Sequence, residues 1–580
     1  MLAEQLVKQK PQEVKAYLLQ QVQALQSAKF LTMLQVEELL TMTGIFQELG
    51  MNNEAVKVFK WGEKQFFQVL GHVLSSHAIK LDQCPATIAP LRQLVLSEAS
   101  ILKEQSLIID VVLRWKCLFK ELRSQLMKSN LGFGHFFQLY MKQLASPKTV
   151  SEGEIQAALL KQMQEEEESL QNLAKPTLAD MSQASYDTIR KHLPDRTVTV
   201  DYIFFAPLKK CALLDAYYVI FMKNKFPVVC ELELLLLLPY NSNLQGKVKA
   251  ELTTLSQVLL LQPLLDILTS EDIDHLYISP DSAVSHIPFD SLPIQLGSNV
   301  VLLFEKFSVS VLSSLRKLLT YSNTQASHDS KCVLIGNPNY SLSKQSFSVE
   351  TVLNSFCEYF NISPTVPVAA QLPHSQDEVD SVSCCLQSHG LATHHLVGDD
   401  ATLSNVLSLQ APQLIHISSH ALRSTKHSQT ALHGNFFGDL KGAAIVLAGF
   451  NTFSRRNFNQ LPIECGLALL PPLAIVSMKL QGTKLVFLST CNSAAGTTVV
   501  QEAVDSLVEA FLTAGVQTVM ATLWPIADQH GATISKLFYN KLVTPGVQPS
   551  DALAYAKKHL KQQDESSYWS NYAAFCLLWT

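Results

Sequence analysis

A chain of 580 residues is too long for one ordinary hydrophobic core, so we expect two to four structural units. Hydrophobic residues make up 47% of the sequence and charged residues 16%, a composition that excludes a disordered chain and favours packed globular domains. The net charge of -5 gives no sign of a strongly basic chain that would bind phosphate backbones, so we expect no nucleic-acid partner.

The start of the chain and its cysteines indicate a reduced intracellular protein. Residues 1–8 carry charged and amide side chains where a secretory signal needs an apolar run. The most apolar run, residues 232–239, contains Glu233 and is shorter than the roughly 20 residues that span a bilayer. The cysteines form no CxxC pair, and adjacent Cys384 and Cys385 lack zinc-ligand spacing. We therefore expect a soluble cytoplasmic protein with no membrane partner, no metal and no other cofactor.

Residues 1–195 have helical periodicity, because their apolar residues recur three and four positions apart. A long amphipathic helix is predicted over 101–127. One stretch, at about 36–69, resembles a tetratricopeptide repeat, with five residues at the spacing of that motif: Phe46, Gly50, Ala55, Phe59 and Gly62. A lone repeat cannot bury its own faces, so adjoining helices must complete a short stack. An unrelated helical bundle is the alternative.

The composition becomes β-rich near residue 196, with predicted strands at 197–205, 217–222 and 275–278. After a polar break at 322–331, another strand at 332–338 opens a second block. Helices and strands then alternate: helix 376–387, strand 392–397, helix 401–409, strand 413–418, strand 484–490, helix 503–514, strand 517–523 and helix 528–543. This alternation predicts a parallel α/β sheet with right-handed crossovers.

Two of these apolar strands are each followed by a residue with catalytic chemistry, His420 and Cys491. Side chains at the carboxyl ends of neighbouring parallel strands meet in one crevice. A thiol at its ordinary pKa is only slightly ionised at neutral pH, so a nucleophilic cysteine needs a base such as imidazole. The pair therefore predicts a cysteine peptidase.

Structural interpretations exist for each of these residues. A cysteine after an apolar strand is commonly a core residue. His416 and His420 have the spacing of a helical metal pair, but Ile415 and Ile417 favour a strand, in which four residues span about 13 Å. We therefore expect no metal here, and we interpret His416 as a buried core histidine.

Short motifs recur in one order along the second two thirds of the chain. They are Ile278–Asp281 with Ile287–Pro293, Gly336–Tyr340, Leu372-Pro373 with Glu378-Val379, Ala401-Thr402, Ile415–His420, Leu488–Cys491, Phe511–Val516, Leu523–Asp528, Phe538-Tyr539 and Tyr568–Phe575. In this order they resemble the motifs of the CHAT domain, the caspase- and separase-related peptidase domain that often follows tetratricopeptide repeats.

The resemblance implies a helical, repeat-like region at 1–195 and a caspase-like α/β sandwich with a mostly parallel sheet. The sandwich would contain a degenerate copy of the fold at 196–321, packed against an active copy at 328–580. The resemblance also implies that His420 and Cys491 cleave peptide bonds, with the backbone N–H groups of Ala421 and Cys491 as oxyanion donors. The family usually has glycine where this chain has Ala421. A left-handed backbone at Ala421 would compromise the oxyanion hole.

The predicted function is that of an intracellular cysteine endopeptidase that cleaves protein substrates. A regulatory protein partner would bind the helical region, and Asp505 and Asp528 are candidate pocket acids for a basic substrate side chain. Asp505 fits a capping residue of helix 503–514 equally well. The alternative function, motivated by Ala421 and the short helical region, is a pseudo-peptidase that serves as a protein-interaction scaffold.

Overall fold

The fold comprises a helical region and a large mixed sheet with helices packed on it. The computed structural model describes residues 7–75, scattered positions within 91–126 and 161–178, residues 180–205, 215–222 and 228–232, most of 253–320, and residues 329–343, 368–423, 443–490 (456, 458 and 459 excepted), 507–564 and 568–579.

The helices are α1 (Pro11–Ser27), α2 (Met33–Glu48), α3 (Asn52–Ser75), α4 (Gln105–Trp115), α5 (Tyr186–His192), α6 (Gln262–Ser270), α7 (Leu303–Lys306), α8 (Lys317–Thr320), α9 (Ser375–Ser388), α10 (Leu403–Leu407), α11 (Phe450–Ser454), α12 (Pro472–Val476), α13 (Leu507–Thr513), α14 (Asp528–Leu542) and α15 (Pro549–Gln563). The strands are β1 (Thr197–Phe205), β2 (Asp215–Met222), β3 (Val228–Leu232), β4 (His275–Ser279), β5 (Pro293–Leu296), β6 (Asn299–Leu302), β7 (Ser308–Leu312), β8 (Asp329–Pro338), β9 (Thr393–Gly398), β10 (Pro412–Ser418), β11 (Ala421–Arg423), β12 (Ala443–Val446), β13 (Leu469–Leu470), β14 (Leu485–Ser489), β15 (Thr518–Thr522) and β16 (Phe575–Trp579).

The N-terminal region is helical, as predicted, and its repeat-like stretch is the hairpin of α2 and α3. Thr32 begins α2 with a capping box, in which its hydroxyl accepts from the Gln35 N–H and the Gln35 side chain accepts from the Thr32 N–H. The turn into α3 passes through Gly50, whose φ of 72° is the left-handed conformation that ends many helices. Phe46 and Phe59 are fully buried between the helices, and α1 packs against α2 to extend the stack.

The single helix predicted over 101–127 is wrong in extent, because α4 ends at Trp115 and Lys116 lies in a turn. Helix α4 is fastened to α3 by a largely buried ion pair. Glu63 accepts hydrogen bonds from Arg114 Nη2 at 2.7 Å and from Trp115 Nε1 at 2.8 Å. Among the described residues, no helix has both the length and the apolar character needed to cross a membrane.

Eleven strands of the described residues form one continuous sheet, in the order β3-β2-β1-β4-β7-β16-β15-β14-β10-β8-β9. Strands β1, β4 and β7 are parallel to one another, and β15, β14, β10, β8 and β9 form a second parallel set. Strand β16 is parallel to β7 and antiparallel to β15, so the two parallel sets run in opposite directions. The fold class predicted from the sequence, a largely parallel α/β sheet behind a helical region, is confirmed. The two halves adjoin edge to edge within one sheet, and the unit bounds 1–195, 196–321 and 328–580 stay a prediction.

The predicted alternation after residue 376 is confirmed within one or two residues where the structure describes it, and residues 503–506 lie outside the described part. Strands β10 and β14 read as unbroken apolar runs because both of their faces are buried. Their buried side chains include Ile415, Ile417, Val486 and Leu488. Helices α9, α14 and α15 pack side by side, with α9 against β8 and β10. A smaller antiparallel sheet, β11-β12-β13, begins directly after His420.

The helical region joins the first half of the sheet through buried polar contacts at the end of α4. Lys116 forms a buried ion pair with Asp201 on β1 and also donates to the carbonyl of Ser279 on β4, at 2.7 Å. The Arg316 guanidinium donates to the carbonyls of Arg114 and Lys116, each at 2.6 Å, and so satisfies the C-terminal carbonyls of the helix.

Candidate active site

The strands that precede His420 and Cys491 lie next to each other in register. Five residue pairs join β10 to β14 in parallel, ending with Ser418 opposite Ser489. Neighbouring strands are about 4.8 Å apart, so these two strand ends share one edge of the sheet. His420 and Cys491 each follow their member of this last pair by two residues. Cys491 lies outside the described residues, and the preceding residue, Thr490, is buried.

The ring of His420 is oriented by a backbone carbonyl. Its Nε2 lies 2.8 Å from the carbonyl oxygen of Ala370, and because a carbonyl can only accept, Nε2 carries the proton. The other ring nitrogen, Nδ1, therefore has the free lone pair in the neutral ring. Tyr340 packs beside the imidazole, with 5.5 Å between ring centroids, and its hydroxyl is 3.1 Å from that of Ser419. His420 is thus held with a basic nitrogen available.

The segment that supplies this carbonyl is held by Asn451, a buried residue of α11. The Asn451 Oδ1 accepts from the N–H of Ala369 at 2.8 Å, and its Nδ2 donates to the carbonyl of Ala369 at 3.0 Å. Both polar groups of the residue before Ala370 are therefore paired with one side chain. Asn451 fixes the position of the acceptor that orients His420.

Ala421 lies in an extended backbone. The described non-glycine residues with positive φ are Arg196, Asn337, Ala411 and Ala468, and Ala421 is not among them. It pairs with Ile445 across β11 and β12, and the N–H of Val446 donates to the carbonyl of His420 at 2.9 Å. In an antiparallel ladder, this bond makes Ala421 and Ile445 a non-hydrogen-bonded pair, so the Ala421 N–H points away from β12. Alanine at this position therefore requires no left-handed backbone, and its N–H is directed out of the ladder.

Asp528 contacts the same short segment as His420, since it accepts from the N–H of His374 while His420 contacts the carbonyl of Ala370, whereas Asp505 is outside the described residues. Asp528 is the first residue of α14, is half-buried, and accepts the N–H of His374 at 2.7 Å through Oδ2. Burial raises the pKa of the Asp528 carboxyl above its usual value, and the hydrogen bond from His374 and the charge of His420 oppose that increase. The structure thus places one of the two candidate pocket acids against the segment that orients the predicted base.

His416 is fully buried, as its interpretation as a core histidine predicts. It belongs to β10 and therefore does not share a helix face with His420. The described part of the chain contains no group of three or more His, Cys, Asp or Glu side chains arranged to hold a metal ion.

Several residues around the site had no role assigned from sequence. The Ala370 carbonyl and Asn451 carry no sequence signal, because any residue has a carbonyl and asparagine is common in loops. Glu378 belonged to one of the recurring motifs and was given no function, yet its buried carboxylate contacts both Ser418 and Ser489.

Comparison with known proteins identifies residues 249–578 as a CHAT domain. The chain is 27% identical over 295 residues to tetratricopeptide repeat protein 28 of Mus musculus, and 26% identical over 294 residues to that of Homo sapiens. Each match covers 48% of this chain and 11% of the relative, so the chain matches about a tenth of the length of these curated relatives.

Two solved structures are similar at low sequence identity. The Saccharomyces cerevisiae separase–securin complex has a TM-score of 0.45 and 11% identity, covering 92% of this chain and 38% of that chain. The Arg-specific cysteine proteinase gingipain R has a TM-score of 0.34 and 7% identity, covering 58% of this chain and 74% of that chain.

Proposed function

This chain belongs to the CHAT domain family, and from that premise we propose that it is a cysteine endopeptidase that acts on protein substrates through His420 and Cys491. The observation that carries the proposal is the parallel register of β10 and β14, which pairs Ser418 with Ser489 two residues before each member of the dyad. The orientation of His420 by the Ala370 carbonyl supports it independently, because that contact leaves Nδ1 as the basic nitrogen.

In the proposed reaction, Nδ1 of His420 takes the thiol proton of Cys491, and the sulfur attacks the scissile carbonyl carbon. The protonated ring then gives its proton to the amine nitrogen as the C–N bond breaks, which leaves a thioester. Nδ1 next takes a proton from water as the water oxygen attacks the thioester carbonyl carbon, and the C–S bond then breaks to release the acid while Nδ1 returns the proton to the sulfur of Cys491. The hydrogen bond from Nε2 to Ala370 is unaffected by these transfers at Nδ1.

The backbone N–H groups of Ala421 and Cys491 are the proposed donors to the oxyanion. The extended conformation of Ala421 supports this role, since its N–H points out of the β11–β12 ladder. The substitution of alanine for the usual glycine at this position costs little, because the backbone does not need positive φ.

Asp528 and Asp505 are proposed as acids that receive a basic substrate side chain. The contact of Asp528 with the segment that orients His420 supports the first of these, and its Oδ1 is not the atom that accepts from His374. A carboxylate in this part of the site would favour substrates that have a basic residue next to the cleaved bond. The same role is proposed for Asp505 on the basis of its position in the sequence alone.

The helical region is proposed to bind a regulatory protein partner. An open groove of about 1060 Å³ is lined by the connection between α1 and α2 (residues 29–32) and by α3 and α4, with apolar lining from Phe67 and Leu107. Phe30 at its edge is 76% exposed, and Lys29 and Lys64 add positive charge. These features suit an acidic segment with an apolar anchor. We also propose that the protein is located in the cytoplasm.

Cleavage of a proteome-derived peptide library by the purified chain tests the proposed activity. The wild-type chain should cut internal peptide bonds, and both Cys491→Ala and His420→Ala should abolish the cleavage. Cys384→Ala is the matched control, because Cys384 is an exposed cysteine on α9 outside the two strand ends, and its cleavage pattern should match wild type. Cleavage that persists in Cys491→Ala would refute the assignment.

The alternative is a pseudo-peptidase that serves as an interaction scaffold. The main sequence evidence for this alternative is Ala421 in place of glycine, and the absence of positive φ at Ala421 weakens that evidence. A scaffold would cut no peptide in the library, and its Cys491 would react with thiol reagents no faster than an ordinary cysteine.

A further inference from the structure

We infer that Glu378 is a positioning residue, whose buried carboxylate holds together the two strand ends that carry His420 and Cys491. The inference rests on the proposed function, since it concerns the same dyad. Glu378 lies in the first turn of α9 and is 1% exposed, so it touches no substrate and acts only through the strands.

One oxygen of Glu378 bridges the two strands. Its Oε2 accepts from the hydroxyl of Ser418 at 2.8 Å and from the hydroxyl of Ser489 at 3.1 Å. These serines are the last registered pair of β10 and β14. A single atom therefore fixes the spacing of the two backbones two residues before the proposed base and nucleophile.

The second oxygen faces other elements of the core. Oε1 accepts from the hydroxyl of Ser535 on α14 and lies 3.3 Å from Nε2 of His416, whose Nδ1 is 3.3 Å from the Tyr539 hydroxyl. Burying a carboxylate is costly unless donors surround it, and well-packed apolar side chains often give equal or greater stability. The polar cluster around Glu378 is thus explained better by a role in positioning the ends of β10 and β14 than by a contribution to the free energy of unfolding.

The surrounding chain leaves room for this contact. A Cβ at Gly531 of α14 would collide with the hydroxyl of Ser489, and a Cβ at Gly336 of β8 would lie 2.5 Å from Val379 on α9. The first turn of α9 is also tied to the sheet, because the Ser375 hydroxyl donates to the carbonyl of Ser418 at 2.8 Å. Helix α9 therefore approaches both strand ends closely enough for Glu378 to reach them.

The test is the rate of alkylation of Cys491 by iodoacetamide across pH, measured by mass spectrometry, together with peptide cleavage. Glu378→Gln keeps the size of the side chain but removes one of the two acceptor oxygens. It should lower the Cys491 alkylation rate at neutral pH about tenfold or more, towards that of His420→Ala, since small displacements of catalytic groups have effects of this size. The cleavage kcat should fall in parallel, with KM nearly unchanged.

The Ser418→Ala/Ser489→Ala double variant removes the two bridging donors and leaves the carboxylate in place, so it tests the same contact even if Glu378→Gln does not fold. It should reproduce the loss. Asp290→Asn is the matched control, because Asp290 is a buried carboxylate of the 3-10 turn Phe289–Ser291, where its described side-chain contacts join it to Ser291 and, at 2.5 Å, to Lys557, and none joins it to β10 or β14. It should lose stability and keep the wild-type pH profile of Cys491.

The outcomes separate the inference from the function on which it rests. If the double variant has the wild-type profile while His420→Ala does not, the positioning role is refuted and the dyad stands. If Asp290→Asn loses Cys491 reactivity as much as Glu378→Gln does, the effect is general destabilisation, and the inference is equally refuted. If wild type and His420→Ala coincide, the proposed function fails and the inference fails with it.

Discussion

Replacing Lys116 with Met should destabilise the junction between the helical region and the sheet. The Lys116 ammonium group is paired with Asp201 and also donates to the carbonyls of Tyr202 at 2.8 Å and Ser279 at 2.7 Å. The side chains of Lys116 and Asp201 are 3% and 1% exposed. Removing one partner of such a pair leaves the other charge buried, which typically costs about 3–5 kcal/mol. The same loss is therefore expected here in the free energy of unfolding.

The assay is urea unfolding followed by tryptophan fluorescence, to which the five tryptophans contribute, among them buried Trp115 next to Lys116. The control is Arg196→Met, because Arg196 pairs with Asp272 at 2.9 Å but both side chains are more than half exposed. An exposed pair contributes at most about 1 kcal/mol, so this variant should lie close to wild type. Adding Asp201→Leu to Lys116→Met should recover most of the lost stability. A cost of Lys116→Met no larger than that of Arg196→Met would refute the reasoning.

Three further predictions concern the site. Asn451→Ala frees both backbone groups next to Ala370, and the cleavage kcat should fall about 10- to 100-fold as His420 loses its orientation. Gly531→Ala places a methyl group against Ser489 and should cost about 1–3 kcal/mol in urea unfolding, with slower alkylation of Cys491. Asp528→Asn should lower kcat/KM selectively for peptides with Arg or Lys before the cleaved bond. Burial raises the pKa of Asp528, so the folded chain binds this proton more tightly than the unfolded chain does. Ionisation of Asp528 therefore lowers the free energy of unfolding as the pH rises from the ordinary aspartate pKa through the raised pKa. The Asp528→Asn variant should lack that decrease.

Each of these has a clear contrary result. Wild-type kcat in Asn451→Ala would mean that the Ala370 carbonyl does not orient the base. Unchanged unfolding and alkylation in Gly531→Ala would mean that Ser489 moves without consequence. Equal losses for basic and neutral peptides in Asp528→Asn would remove Asp528 from substrate selection.

Much of the sheet could be predicted from sequence because its strands are buried on both faces. Runs such as those of β10 and β14 are apolar at successive positions and end at polar residues, which marks both the strands and their carboxyl ends. The edge-to-edge junction could not be predicted. Strand β16 lies between β15 and β7, and its pairing with β7 joins residues far apart in the chain without any local pattern.

The site divides in the same way. His420 was predicted from its position after a strand, and the alternation of helices and strands predicted a parallel sheet. The backbone at Ala421 could not be read from residue type, and only its pairing with Ile445 defines it as extended. The Ala370 carbonyl depends on Asn451, 82 positions from the residue it holds, so no short motif records it.

The reactivity of Cys491 relative to the other ten cysteines tests the proposed dyad most directly. The wild-type 580-residue chain and His420→Ala should be treated with limiting iodoacetamide from pH 5 to 9, and each cysteine should be quantified by mass spectrometry. A dyad predicts that Cys491 of wild type is alkylated fastest at neutral pH and that His420→Ala shifts its reactivity to the higher pH of an ordinary thiol. Identical pH profiles for Cys491 in the two proteins would contradict the proposed His420–Cys491 dyad.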